Sequence, residues 1–410
     1  MHGAARAERP RADDLEATMS GADDRLVRAE RALRASPPHA LLDVLDSVLR
    51  SDFDVAGSEL LLADYRLNVL QPVTRLPHTA EPISIRTSAA GRAFTAQRTL
   101  LEPVPGDGVA AYVPVAVRGD RLGVLVVTLR EVPGDGARRA LEDLATALGH
   151  ELVVAERDTD LYLRARRRER LSLAAEMQWQ LLPGRGCARE EYSLGGQLEP
   201  AYTIGGDNFD WSASADHLTV TVSNGMGSGI QAALLTNLAI SALRNARRAG
   251  LGLVDQACLA DQAVYAQYGG AEHVATLLLR FELSTGRVGV VDAGSPHLLR
   301  LRDGRVELVP FEEQMPLGMF ESTEYQEQDF HVEPGDRLVV VSDGVHTARS
   351  PRGGEYGATN LDRIIRDSRN LPAPEAARAI ITELLEYHEG TDLLDDAVVV
   401  CLDWTGTVGH

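Results

Sequence analysis

Residues 202–233 read YTIGGDNFDW, then SASADHLTVTVS, then NGMGSGIQAA, and this stretch decides the fold. A turn carrying a carboxylate, Gly205-Gly206-Asp207, leads into a run that ends in alternating β-branched residues at Val222, which predicts a strand. The strand breaks into Asn224-Gly225-Met226-Gly227-Ser228-Gly229, and a helix rich in small residues follows from Ile230. Glycines at alternate positions permit positive φ and close approach to a bound group. A helix start behind them offers free backbone N–H groups. The pattern predicts a cradle for something small and charged.

Outward from that cradle, residues 183–404 alternate strands and helices in blocks. Strands are predicted at 195–201, 275–281, 287–292, 297–301, 337–342 and 397–402, and helices at 230–247, 253–268 and 374–389. Helices come in adjacent pairs and strands as meanders with short turns such as Ser284-Thr285-Gly286. That order predicts an α+β domain of antiparallel sheets covered by helices, in preference to a doubly wound parallel sheet.

Upstream, residues 37–134 predict a separate α+β domain. Leu41, Val44, Leu45 and Val48 share one helical face, 58–65 and 66–73 alternate around Asp64, and 110–117 and 122–129 form a hairpin about Gly119-Asp120. Residues 135–182 contain no proline and predict a long linker helix. Its Leu141, Leu144, Leu148 and Leu152 recur at three and four residues, a seam through which two chains would pair as a parallel homodimer. Within it, Arg164–Arg170 (RARRRER) is either a docking patch for an acidic partner or nucleic acid or, with no interleaved aromatics, a solvated helix face, the reading preferred. Trp179 places the end of this helix against the following domain. Residues 1–36 and 405–410 are expected to be tails.

Composition narrows the function. With 44% apolar and 25% charged residues in 410, the chain is long enough for two or three cored domains. A formal charge of −19 disfavours nucleic acid as the main partner. Cys187, Cys258 and Cys401 are too few and too scattered for a disulfide framework or a zinc motif. No apolar run reaches the ~18 residues of a membrane span, and the opening MHGAARAERPRADD lacks a signal-peptide core, so a cytoplasmic protein is expected.

Three aspartate positions carry the chemistry. Asp207 follows two glycines, Asp343 follows the apolar run Leu338–Ser342, and Asp395-Asp396 precedes Ala397–Val400. Each alone reads as a turn former or a cap. Together they suggest carboxylates converging on a cation, and an oxygen-only donor set favours Mg²⁺ or Mn²⁺ over zinc. Rival motifs fail. Gly225-x-Gly227-x-Gly229 misses the dinucleotide fingerprint at Ile230, no Gly-Lys-Ser/Thr is present, and Met226 and Ile230 stand where a nucleophile elbow around Ser228 needs glycines. His297, His331 and His346 show no triad spacing and are expected to be surface or core residues.

Taken in order, MQWQLLP, IGGDNFD, SNGMGSGIQAA, VDAGSPHLL, MPLG, PGDRLVVVSDGV, EYG and DDAVVV resemble the SpoIIE/RsbU-type branch of the PPM (PP2C-like) metal-dependent serine/threonine phosphatases. The segments GRAFTAQRTLL and YVPVAVRGDRLGVLVVTL resemble the last helix and hairpin of a GAF sensor domain; a fold that only dimerises fits them equally. The phosphatase resemblance implies a β-sandwich flanked by helices, and a phosphorylated anti-anti-sigma (STAS) protein as substrate in stress or developmental signalling. It implies two Mn²⁺ or Mg²⁺ ions, with Asp207 in the metal cluster, Asp343 and Asp395 on one ion and the Gly225 carbonyl on the other. The family's bridging Asp is Asn224 here, its AGH is Ala293-Gly294-Ser295, and its Thr-Glu is His346-Thr347. An amide offers one neutral oxygen where a carboxylate offers two anionic ones. Two outcomes follow: a phosphatase with weakened metal binding, for which Asp210 could supply a compensating carboxylate, or a pseudophosphatase acting as a binding module.

Overall fold

The computed structural model describes residues 25–53, 55–73, 81–105, 108–199, 205–294, 296–349, 354–388, 393 and 395–407. The expectations for Tyr202–Ile204, for Ser295 and for residues 1–24 and 408–410 of the tails fall outside them. Contacts divide the chain near Arg168 into two compact units.

The first unit is a six-stranded antiparallel sheet in the order β3-β2-β1-β6-β5-β4. Its strands are β1 (Val55–Ala63), β2 (Val69–Pro72), β3 (Ile83–Ser84), β4 (Leu100–Val104), β5 (Gly108–Val117) and β6 (Asp120–Leu129). Strand periodicity sends Leu60 and Leu62 to one core and Leu61 and Ala63 to another. Helices α1 (25–35), α2 (Leu41–Phe53), α4 (Asp135–Ala155) and α5 (Leu161–Ala165) serve the first core, and α3 (Ala89–Ala96) serves the second. Asp64 forms the β1–β2 turn, accepting the N–H groups of Asn68 at 2.8 Å and Val69 at 3.0 Å.

Three expectations change here. The linker helix is not continuous: it stops at Ala155, and short helices follow at α5 and at α6 (Leu173–Leu181). The seam residues Leu141, Leu144, Leu148 and Leu152 are buried against this unit's own sheet, so they do not form a dimer seam. A three–four leucine stripe looks the same whether it meets a sheet or another helix. Residues 25–35 are helical, with Ala29 and Leu33 in the core, where a tail was expected. Arg166 of the arginine cluster lies over Tyr65 at 5.7 Å and pairs with Glu156 at 3.6 Å.

The second unit stacks two antiparallel sheets, a β-sandwich flanked by helices as expected. One sheet runs β15-β12-β11-β10-β9 and the other β14-β13-β16-β17-β8-β7. Their strands are β7 (Gly186–Ala188), β8 (Tyr192–Glu199), β9 (Asn208–Ala213), β10 (His217–Gly225), β11 (Val274–Glu282), β12 (Arg287–Ala293), β13 (His297–Arg302), β14 (Arg305–Leu308), β15 (Gln328–His331), β16 (Arg337–Val341) and β17 (Ala397–Trp404). Phe281 stacks on Trp404 between the sheets, ring centroids 6.1 Å apart. Helices α7 (Gly229–Arg248) and α8 (Leu253–Tyr268) cover the five-stranded sheet, burying Ile240, Leu243 and Ala257 with Leu278 and Val291. Short α9 (Asp343–His346) and α10 (Tyr356–Thr359) lead to α11 (Leu361–Asp367) and α12 (Ala373–Tyr387), and the last two cover the six-stranded sheet. Helix α6 belongs to this unit, where Arg185 sits 5.7 Å over the ring of Trp179. Among the described residues no helix is long and apolar enough to cross a membrane.

Candidate metal centre

The site forms where strands of both sheets end together. Strand β10 delivers Asn224 and Gly225, the β16–α9 junction delivers Asp343, and the turn before β17 delivers Asp395 and Asp396. Asn224, Gly225, Asp343 and Asp395 line one cleft of about 380 Å³, with Met226, His273, Glu313 and Pro316 on its walls.

Two glycines bring the backbone of the site together. A Cβ at Gly206 would lie 2.1 Å from the Gly225 carbonyl oxygen, and one at Gly225 would lie 2.2 Å from Thr236 Oγ1. The Gly206 carbonyl accepts from Gly225 N at 3.2 Å and from the Thr236 hydroxyl at 2.5 Å. Helix α7 therefore holds the Gly205-Gly206-Asp207 turn against the end of β10. The later glycines serve the turn itself, Gly227 at φ 94° and Gly229 at φ 66°. Gln178 of α6 fixes the other side, its Oε1 accepting Asn208 Nδ2 at 2.8 Å.

Asp207 is buried and its Oδ2 has no hydrogen-bond partner among the described residues. Burial first, then the charge of Asp396 and those of Asp343 and Asp395, push its carboxyl well above the usual range, against a hydrogen bond from Ser342. Asp396 accepts Gly205 N at 2.5 Å and Asp207 N at 3.3 Å, yet burial still pushes it up to about 7. Asp395 is raised by partial burial and by Asp343. As anions these carboxylates repel one another, and an orphaned carboxyl oxygen in such a group fits a divalent cation with oxygen ligands. Among the described residues no three acidic, histidine or cysteine side chains close into one ligand cage. The fit therefore rests on Asp207, on the cleft shared by Asp343 and Asp395, and on the Gly225 carbonyl.

Asn224 lines the cleft beside Asp343, and its Nδ2 donates a short hydrogen bond to Asp343 Oδ1. Asp343 Oδ1 also accepts Gly344 N at 2.8 Å. The amide thus supplies hydrogen where the carboxylates need positive charge.

Asp210 is not part of this centre. It points to the helix side of its strand, 2% exposed, and is bound by Arg244 at 2.7 Å and Arg247 at 3.0 Å. A buried carboxylate with two guanidinium partners has its charge already met. The histidines form no triad, but His297 and His346, with no spacing to link them, stack in parallel, centroids 4.2 Å apart. They are far apart in sequence and meet because β13 pairs with β16, which leads into α9. Spacing did not single out Glu313, His273 or Asp292, nor the backbone-binding part played by Asp396. Asp292, accepting Gly294 N at 3.1 Å, is raised to about 6 by burial.

Residues 214–405 match the family described as Stage II sporulation protein E (SpoIIE). Over these residues, just under half of the chain, it is similar to the SpoIIE family of PP2C-type serine/threonine phosphatases. Among its relatives, phosphoserine phosphatase RsbU of Bacillus subtilis is 20% identical over 256 residues, 62% of this chain and 76% of that protein. Phosphoserine phosphatase RsbP of the same organism is 24% identical over 205 residues, 49% of each chain. A solved structure of the PP2C phosphatase domain of SpoIIE from Bacillus subtilis, with a fragment of its regulatory domain, is 14% identical, covering 77% of this chain and 86% of that one with a TM-score of 0.48.

Proposed function

We propose that the SpoIIE-family domain is a Mn²⁺- or Mg²⁺-dependent phosphoprotein phosphatase whose substrate is a phosphorylated STAS-type protein, and that the GAF-like first unit regulates it in the cytoplasm. The observation that carries this reading is the unpartnered, buried Oδ2 of Asp207 beside a cleft lined by Asp343, Asp395 and the Gly225 backbone. Asp207, Asp343, Asp395 and the Gly225 carbonyl would hold the ions. When bound, a divalent pair lowers the pKa of a water and neutralises phosphoryl charge. Asp396 acts through the backbone, fixing the N–H groups of Gly205 and Asp207 so that the Asp207 carboxylate stays turned inward. The test is phosphate release from a phosphorylated STAS protein with Mn²⁺, wild type beside Asn224→Asp and Asp343→Asn. Activity in the first two and none in the third is expected; release unaffected by Asp343→Asn would overturn the assignment.

The Asn224–Asp343 hydrogen bond favours a second reading, a pseudophosphatase that binds a phosphoprotein without turning it over. Calorimetric titration with Mn²⁺ separates the two. Two bound ions per chain support the enzyme, and none supports the binding module.

A further inference from the structure

A second cavity, of about 530 Å³, opens at the opposite end of α7 from the catalytic loop. Arg244, Arg247 and Arg248 from the last turns of α7 form one wall, and Arg280 of β11 rises from the floor. Ser212, Thr219 and Arg280 lie side by side on three neighbouring strands, because Thr219 pairs with Ser212 on one side and with Arg280 on the other. In a chain of formal charge −19, four guanidinium groups therefore face one cavity in which Asp210 is the single acidic lining residue.

Structural roles account for part of this. Arg244 binds Asp210 through Nε and Nη2 and the Leu181 carbonyl through Nη2, and Arg247 binds Asp210 through Nη1. Those bonds fix both guanidinium planes and leave Arg244 Nη1 and Arg247 Nη2 without a protein acceptor among the described residues. Arg248 gains only the carbonyl end of its helix. Among the described residues the side chain of neither Arg248 nor Arg280 makes a hydrogen bond or ion pair. The acids that Arg280 influences, Asp216 and Glu282, act through space and do not line the cavity. Asp216 is taken by His217 at 2.7 Å and Glu282 by Arg287 at 3.1 Å.

We propose that this cavity is a binding site for a small polyanion carrying two or more linked phosphoryl groups, the chemistry shared by inorganic pyrophosphate and nucleoside di- and triphosphates. Four cations against one carboxylate leave an excess of three positive charges, which a single phosphate monoester does not balance and a diphosphate does. Pinned guanidiniums suit phosphoryl oxygens, since their N–H forks are oriented before the ligand arrives. The cavity has the size of a small-molecule site. The site is independent of turnover in the catalytic cleft, where without metal the carboxylates repel any anion.

Calorimetric titration of the full chain in EDTA tests this, with pyrophosphate, ATP and sulfate as probes. Pyrophosphate and ATP should bind with one site per chain, sulfate at least tenfold more weakly, and affinity should fall as sodium chloride is raised. Equal affinity for pyrophosphate and ATP identifies the linked phosphates as the whole recognition element, and tighter ATP binding identifies a nucleotide. The variant Arg248→Ala/Arg280→Ala, which removes no side-chain hydrogen bond or ion pair among the described residues, should stay folded with a melting temperature close to wild type and lose at least tenfold in affinity. Absence of binding to wild type, or undiminished binding to the variant, would overturn the proposal.

Discussion

Replacing Asn224 by Asp tests the metal centre from both sides, because its effect on stability should change sign with metal. Without metal, the amide donates to Asp343, and a carboxylate in its place removes the donor and sets two like charges in contact. Two unit charges about 4 Å apart interact by about 4 kcal/mol at an effective dielectric of about 20. Both side chains are half-buried, so screening by solvent brings the expected cost to about 2 kcal/mol. Protonation sets a ceiling, since holding an Asp of ordinary pKa in its neutral form at about pH 7 costs about 4 kcal/mol. For a domain of this size, about 2 kcal/mol lowers the melting temperature by about 4–8 °C. With saturating Mn²⁺ the new charge faces cations, and the variant should melt above wild type. Thermal melts of both proteins in EDTA and in Mn²⁺, alongside hydrolysis of an aryl phosphate, make the assay. A variant that melts with wild type under both conditions would refute the placement of Asn224 between the metal ligands.

Asp292, pushed up to about 6 by burial from a reference value of 3.8, binds a proton in the folded state over a window where the unfolded chain has lost it. Stability therefore falls as pH rises through that window, and Asp292→Asn should raise the melting temperature at pH 8 while leaving it unchanged near pH 4. Gly206→Ala places a Cβ 2.1 Å from the Gly225 carbonyl oxygen, between two backbones with no room to yield, and should cost about 3 kcal/mol or more by urea titration. Gly229→Ala meets nothing within 4 Å and should cost only about 1–2 kcal/mol for its positive φ. Leu148→Ala should cost about 2–5 kcal/mol in the first unit with no change in molar mass by light scattering, as a buried core residue requires and a dimer seam does not.

The fold was legible in the second unit because its elements carry unambiguous periods. Strands predicted at 275–281 and 287–292 appear as Val274–Glu282 and Arg287–Ala293, and the helix predicted at 253–268 is Leu253–Tyr268. Weakly patterned elements were missed: Arg305–Leu308 and Gln328–His331 lie at sheet edges, where few residues are buried and alternation fades. The leucine stripe of α4 was visible, but its partner was not. Periodicity reports that a face is covered and does not say by what.

Among the site residues, strand parity separates what composition could not. Phe209 and Asp210 are neighbours, so one must face the inter-sheet core and the other the helices. Phe209 pairs with Val222, and Asn224, two residues beyond Val222, stays on that inner side at the mouth of the cleft. Asp210 pairs with Thr221 and faces α7, where Arg244 and Arg247 meet its charge. Four of the carboxylates in the segments that frame the site, Asp207, Asp343, Asp395 and Asp396, thus reach the inter-sheet site, while a fifth anchors the arginine cavity at the far end of the helix. The same strand and helix that position the Gly225 carbonyl also orient the guanidinium wall. The proposed cation site and the proposed anion site thus lie at opposite ends of α7. In EDTA charge separates the two, because an anion is repelled by the carboxylates of the first, and its loss in Arg248→Ala/Arg280→Ala places it at the arginines of the second.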